Sequence, residues 1–200
     1  MQVHPRNHPT ALLALIGLAA CAPAVPAPAP TNTVAVPPTP LVLSIDQGER
    51  RVRRRAPDPG SSGLTTPFII KVDRRNGGSP ELVMGYEDIT PGQAMVPHRH
   101  LLADEIIFVH AGSGVVALGD HQTPFATGAT IYIPRNTRVA VRNTGTVPLS
   151  IAFFFSRPGF EELLRESSVP EGDSMIPLTA AERAAIRARN AWHTVYEPQP

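Results

Sequence analysis

Two histidines and a glutamate in the middle of the chain have the types and spacing of a metal-ligand set. His98 and His100 are one residue apart, so on a β-strand both imidazoles project from the same face. Glu105 follows five residues later, after a connection long enough to turn the chain into a neighbouring antiparallel strand. Two neutral imidazoles and a carboxylate suit a divalent transition metal such as iron, manganese, nickel or zinc. Glu105 can also act as a proton acceptor beside such a centre, which makes it the candidate catalytic group. Without a metal, the same three side chains would form a hydrogen-bonded polar cluster inside a ligand pocket.

The chain from Gly92 to Gly112 resembles the first motif of the cupin superfamily, with Gly92, His98, His100, Glu105 and Gly112 at the matching positions. The second motif has its counterpart in Gly128 to Asn143, where Gly128, Pro134 and Asn143 keep the spacing. Asn136 stands where that motif has its second glycine, a tolerable change because asparagine also enters left-handed turns. Val139 stands where the family places a third metal-binding histidine, and no histidine occurs between His121 and His193. The resemblance, to single-domain cupins of the quercetin-dioxygenase-like type, implies an all-β fold: a double-stranded β-helix, or jelly-roll barrel. It leaves two functions open. One is a metal-dependent oxygenase or isomerase acting on a small molecule. The other is a non-catalytic cupin that binds a small ligand without metal, because Val139 removes a ligand.

The elements needed to position these groups are legible as short β-like runs. They cover 67–72, 81–89, 94–100, 105–111, 115–118, 129–133, 138–142 and 149–155. Turn signals such as Pro91-Gly92, Pro134-Arg135-Asn136 and Asn143-Thr144-Gly145 separate them, the pattern of a sandwich or barrel. Parity then sorts the faces. With the ligands pointing inward, Val96, Ile107, Val139, Val141 and Phe153 line the pocket, while His110 faces outward and His121 lies exposed in a hairpin. Leu41 to Ile45 is an apolar run suited to open the barrel or lie along its edge. Near the C-terminus the period changes. Phe160 to Ser167 reads as a short helix, and Thr179 to Glu182 is a capping box that opens a second helix running to Asn190. These helices are expected to cover an open face of the barrel, with Trp192 and His193 as packing residues.

The N-terminus points to the cell envelope. Arg6 precedes the apolar run 11–20, which is too short for a mature membrane span. The run ends in Leu18-Ala19-Ala20-Cys21, which resembles the lipobox of bacterial lipoproteins. That resemblance implies a cleaved signal over 1–20, a lipidated Cys21 and a membrane-anchored protein. Ala22 after the cysteine implies an outer-membrane destination, facing the periplasm. Cys21 is the only cysteine, so no intrachain disulfide can form. Residues 21–40 then form a Pro/Ala-rich tether, and 41–200 a single domain with its barrel core at about 66–156.

Loss of residues 1–20 removes one basic side chain and no acid, leaving equal numbers of each sign. That balance gives no push toward nucleic acid. The expected partners are a small molecule, the membrane through the lipid, and a second copy through an edge strand. Five arginines between Arg50 and Arg55 read best as a charged, solvated edge strand, and otherwise as a patch for an anionic envelope polymer.

Overall fold

The computed structural model describes residues 38–55, 66–76 and 79–197. The signal segment, Cys21 and most of the Pro/Ala-rich tether lie outside the described residues, as do 56–65, 77–78 and 198–200. All described residues fall in one compact unit, Thr31–Pro200.

In chain order the strands are β1 (Glu49–Arg53), β2 (Phe68–Val72), β3 (Val83–Ile89), β4 (His98–His100), β5 (Glu105–Ala111) and β6 (Ser113–Leu118). They continue with β7 (His121–Ala126), β8 (Thr130–Ile133), β9 (Val139–Asn143) and β10 (Leu149–Phe155). Helix α1 (Phe160–Glu166), β11 (Ser168–Pro170), helix α2 (Ala180–Asn190) and β12 (Thr194–Tyr196) complete the domain. A seven-stranded sheet has the order β11-β1-β2-β3-β10-β5-β8, and a five-stranded sheet the order β12-β4-β9-β6-β7. Every pairing is antiparallel. This is the all-β jelly-roll arrangement with short C-terminal helices that the strand pattern implies.

The alternation in β5 decides which side chains reach the interior. Glu105, Ile107 and Val109 are buried, whereas Ile106, Phe108 and His110 are exposed. On β9 the same rule buries Val139 and Val141. Ile107, Val109, Val139, Val141, Ile151 and Phe155 belong to one continuous apolar core. Gly85 on β3 sits directly opposite Phe153 on β10, and a Cβ there would come within 2.1 Å of the Phe153 ring. The glycine therefore makes room for an aromatic side chain in the barrel. Asn136 has a φ of 62°, the left-handed turn conformation expected where the motif normally has glycine.

Three expectations about local structure are corrected, and one strand is added. The run 41–45 forms no strand, and Leu41, Leu43 and Ile45 instead border a hollow with Tyr86, Phe108 and His110 on the outer side of the seven-stranded sheet. β1 is not an edge strand, because β11 pairs on one side of it and β2 on the other. Its arginines and the next one are engaged: Arg50 with Glu171, Arg51 with Glu49, Arg53 with Glu87 and, just past the strand, Arg54 with Glu182. Residues 121–126, outside the expected runs, form β7, an exposed edge strand that tolerates Pro124 because its outer side needs no N–H donor, and His121 lies exposed at the β6–β7 hairpin as expected. His193, finally, is more than a packing residue, for reasons given below.

Both helices form where the sequence places them. Thr179 caps α2 in a reciprocal box: its hydroxyl accepts from the Glu182 N–H, and its own N–H donates to the Glu182 carboxylate. Helix α1 turns Leu163 and Leu164 inward and lays Phe160 against the His98 and His100 rings. It is tied down by Arg165, whose guanidinium reaches Glu49 on β1 and Asp73 after β2, each at 2.5 Å.

Candidate metal centre

β4 and β5 bring the three sequence-derived groups together. His98, His100 and Glu105 are 6%, 4% and 5% exposed, and one ligand atom from each lies within 4.8 Å of the others. The two imidazole Nε2 atoms are 3.1 Å apart, and Glu105 Oε2 lies 3.6 Å from His100 Nε2. Phe155 and Phe160 flank the His100 ring, with centroids at 4.6 and 4.7 Å. An apolar collar of this kind keeps water from competing for the polar atoms.

The surrounding hydrogen bonds assign both tautomers. His98 Nδ1 lies 2.8 Å from the Val96 carbonyl, which can only accept, so Nδ1 donates and Nε2 keeps its lone pair. For His100 the assignment runs through a chain of four residues. The Asn190 amide nitrogen donates to Ile186 O at 2.9 Å and lies 3.3 Å from Glu166 Oε1, so Asn190 Oδ1 is the acceptor for His193 Nε2 at 3.0 Å. His193 Nδ1 must then accept from the Thr194 hydroxyl at 2.8 Å, and Thr194 Oγ1 accepts from His100 Nδ1 at 3.2 Å. His100 Nε2 is therefore also a lone pair. Two lone pairs face each other at 3.1 Å, beside a Glu105 Oε2 that is buried and has no hydrogen-bond partner. Three electron-rich atoms converging in a dry site favour a positive species between them, either a proton on Glu105 or a metal ion. The donor set of two imidazoles and a carboxylate fits a divalent cation.

The titration behaviour has the same cause. Burial pushes the Glu105 carboxyl up to about 8, and the Glu87 charge adds to the effect. Burial holds His98 below its ordinary value, partly opposed by the bond to Val96. It holds His100 well below, with His98 and His193 adding to the depression. The close approach of His100 and Glu105 is therefore not an ion pair. In the metal-free protein at neutral pH, the imidazoles are neutral and Glu105 carries the proton.

A pH dependence follows. Folded Glu105 keeps a proton up to about pH 8, whereas the unfolded chain loses it near 4.5. Between these values the unfolded state binds fewer protons, so stability falls as pH rises. The histidines act oppositely, and only below their unfolded value of 6.5. From pH 6.5 to 8 the metal-free protein is expected to lose roughly 1–2 kcal/mol. Glu105→Gln should remove that slope in chemical denaturation, and an unchanged slope would refute the assignment.

The structure treats the remaining sequence-derived positions differently. Val96 and Phe153 line a cavity that reaches His98 and Glu105. Ile107, Val139 and Val141 are completely buried in the core and do not line it, because their side chains pack between the sheets. Val139 pairs directly with His98 across β4 and β9, so an aliphatic wall stands beside the ligand where the cupin pattern has an imidazole. His110 and His121 are exposed and stay outside the cluster.

Sequence reasoning missed the supporting chain through Thr194, His193 and Asn190. Trp192 is half exposed, whereas His193 is 5% exposed and bonded at both ring nitrogens. β12 delivers the group by pairing Thr194 with His100 in register. The available signal was a polar His-Thr pair directly after a well-capped helix, which no ligand-spacing rule detects. Thr194→Val keeps the shape and removes the acceptor for His100 Nδ1. It is expected to weaken metal binding about 10-fold, the lower end for loss of a supporting bond. Isothermal titration would measure the change; unaltered affinity would mean that His100 is oriented by packing alone.

Comparisons with known proteins bear on the fold that carries this site. Residues 85–155 match the family model for the cupin domain. Protein SchB of Streptomyces halstedii is 34% identical over 76 residues, 38% of this chain and 55% of that protein. Auxin-binding protein 1 of Arabidopsis thaliana is 29% identical over 132 residues, 62% of this chain and 61% of that one. The chain thus spans between about half and three fifths of these curated relatives. Among solved structures, a predicted oxalate decarboxylase from Thermotoga maritima superposes with a TM-score of 0.50 at 16% identity, covering 59% of this chain and all of that one. At that identity the likeness concerns the fold.

Proposed function

The chain belongs to the cupin superfamily, its cupin domain at residues 85–155, and from that premise we propose that it is a metal-dependent enzyme of the oxygenase or isomerase type, acting on a small molecule inside the barrel. The observation that carries this reading is the convergence of two imidazole lone pairs on the orphaned oxygen of Glu105. His98, His100 and Glu105 would hold iron, manganese, nickel or zinc. Such an ion supplies Lewis acidity and open coordination positions for substrate oxygens.

The protein's own residues contribute the rest. The Val96 carbonyl and Thr194 hydroxyl fix the imidazole rings so that Nε2 faces the site. Phe153, Phe155 and Phe160 exclude water from it. Beside a bound cation Glu105 would be ionised, because the positive charge offsets the effect of burial on its carboxyl, and its second oxygen would be the proton acceptor for a bound substrate.

Val139 supports a second reading, a non-catalytic cupin that captures a small ligand without metal, because it leaves the site one imidazole short of the usual set. Ligand-induced melting shifts separate the two. In the metalloenzyme, shifts by a candidate substrate depend on metal and disappear with chelator or with His98→Ala. Shifts that survive both would favour the metal-free binder.

We further propose that the protein sits at the bacterial envelope, lipid-anchored through Cys21 to the outer membrane and facing the periplasm. The support is Leu18-Ala19-Ala20-Cys21, followed by a Pro/Ala-rich tether. No helix among the described residues is long and apolar enough to cross a membrane. Cys21→Ser is expected to abolish incorporation of labelled palmitate and release the protein to the soluble fraction. Unchanged labelling or fractionation would remove the assignment.

A further inference from the structure

The cavity that reaches His98 and Glu105 has a volume of about 130 Å³, and its chemistry is divided. Its apolar walls include the buried Phe153, Leu163 and Ile186 and the partly buried Phe160. Its half-buried side is cationic: Arg53, Arg54 and Arg55 come from β1 and the residues after it, and Arg183 and Arg187 from α2. All five arginines lie outside the matched cupin region of residues 85–155.

Arg53 is paired with Glu87 and Arg54 with Glu182. Arg183 and Arg187 have no carboxylate within ion-pair distance among the described residues. Arg183 donates to the Leu178 carbonyl at 3.4 Å, and Arg187 lies 4.4 Å over the Tyr196 ring. Arg55 is close to both. Burial first, and then the charges of Arg183 and Arg187, hold its pKa below the ordinary arginine value. Like charges gathered at an apolar cavity repel one another at a cost that a bound anion relieves. The planar guanidinium fork matches a carboxylate in shape as well as charge.

We propose that this cavity takes a small organic carboxylate, its anionic end held by Arg183 and Arg187 beside Arg55, and its apolar body laid along Phe153 and Phe160 toward His98 and Glu105. The proposal rests on the reading of His98, His100 and Glu105 as the reactive end of the cavity, and it names the substrate class for that site. A divided cavity of this kind, mostly apolar with a few convergent charges, orients its ligand in one direction. Here the carboxylate stays at the arginines, and the opposite end of the molecule meets the metal-ligand cluster.

The test uses the mature chain, metal-loaded and chelator-treated, with benzoate, hexanoate and cyclohexanecarboxylate, each paired with its uncharged amide, and with inorganic phosphate. Isothermal titration is expected to show at least one carboxylate binding 10-fold or more tightly than its amide. Arg183→Gln with Arg187→Gln should erase that preference while leaving the melting temperature within a few degrees. The preference should persist after chelation, so a failure of the metal reading alone would leave this inference standing. Equal binding of acid and amide, no binding by any carboxylate, or binding by phosphate alone would overturn it. So would a preference that vanishes with chelator yet survives in the double arginine variant, since the anion would then sit on the metal.

Discussion

Replacing His98 and His100 together by alanine is expected to lower divalent-metal affinity by more than about 100-fold. Losing a single supporting hydrogen bond around a metal costs ~10–100-fold, and these are direct ligands. The effect should be large because so little else at the site can substitute. Val139 stands opposite His98, the surrounding rings belong to Phe155 and Phe160, and the exposed His110 and His121 are not in the cluster. Glu105→Gln, which preserves volume, separates loss of a ligand from loss of shape: it should weaken binding while the melting temperature of the metal-free protein holds or rises at pH 8. Metal affinity unchanged in the double histidine variant would place any bound ion elsewhere.

The second large effect concerns how the site is held. Arg165 on α1 is almost fully buried, and its charge is matched by Glu49 and Asp73. Asp73 is completely buried, so removal of the guanidinium leaves an uncompensated carboxylate in a dry environment. Arg165→Met is therefore expected to destabilise the domain by about 3–5 kcal/mol, read from urea denaturation. The same variant should loosen Phe160, which shares α1 and packs against both imidazoles, and so weaken metal binding secondarily. A loss below about 1 kcal/mol would mean that Asp73 is solvated or protonated without its partner. Adding Asp73→Asn to Arg165→Met should recover part of the loss, because the buried charge is then gone.

The two effects show which parts of the molecule were readable beforehand. β5 was legible because its buried and exposed residues alternate strictly, and the spacing of His98, His100 and Glu105 follows from that alternation and a short turn. Asn136 was legible for a different reason: few residues other than glycine enter the left-handed region cheaply. The capping box at Thr179 is a local hydrogen-bond pattern that needs no tertiary context.

What could not be read depends on partners distant in sequence. β7 is exposed almost throughout and contains Pro124, so it has neither apolar alternation nor strand-like composition, and its strand character comes from pairing with β6. β1 looks like a solvated edge until β11 arrives to cover it, more than a hundred residues later. The run 41–45 has strand-like composition yet finds no strand to pair with, and its apolar side chains lie on an outer sheet face instead. Thr194 and His193 carry no spacing signal toward His100, because β12 is only three residues long and its register exists only in the folded sheet. The arginine-lined cavity is hidden for the same reason, since β1 and α2 meet there from opposite ends of the domain.

The central claim is that three side chains meet at one cation. Metal K-edge X-ray absorption on protein reconstituted with iron or zinc reads that directly, through the identity of the nearest scatterers. The account predicts one ion per chain with two imidazole nitrogens and a carboxylate oxygen in its first coordination sphere, and loss of the imidazole signature in the double histidine variant. A spectrum with only water-like oxygen neighbours, or one unchanged by that variant, would contradict it.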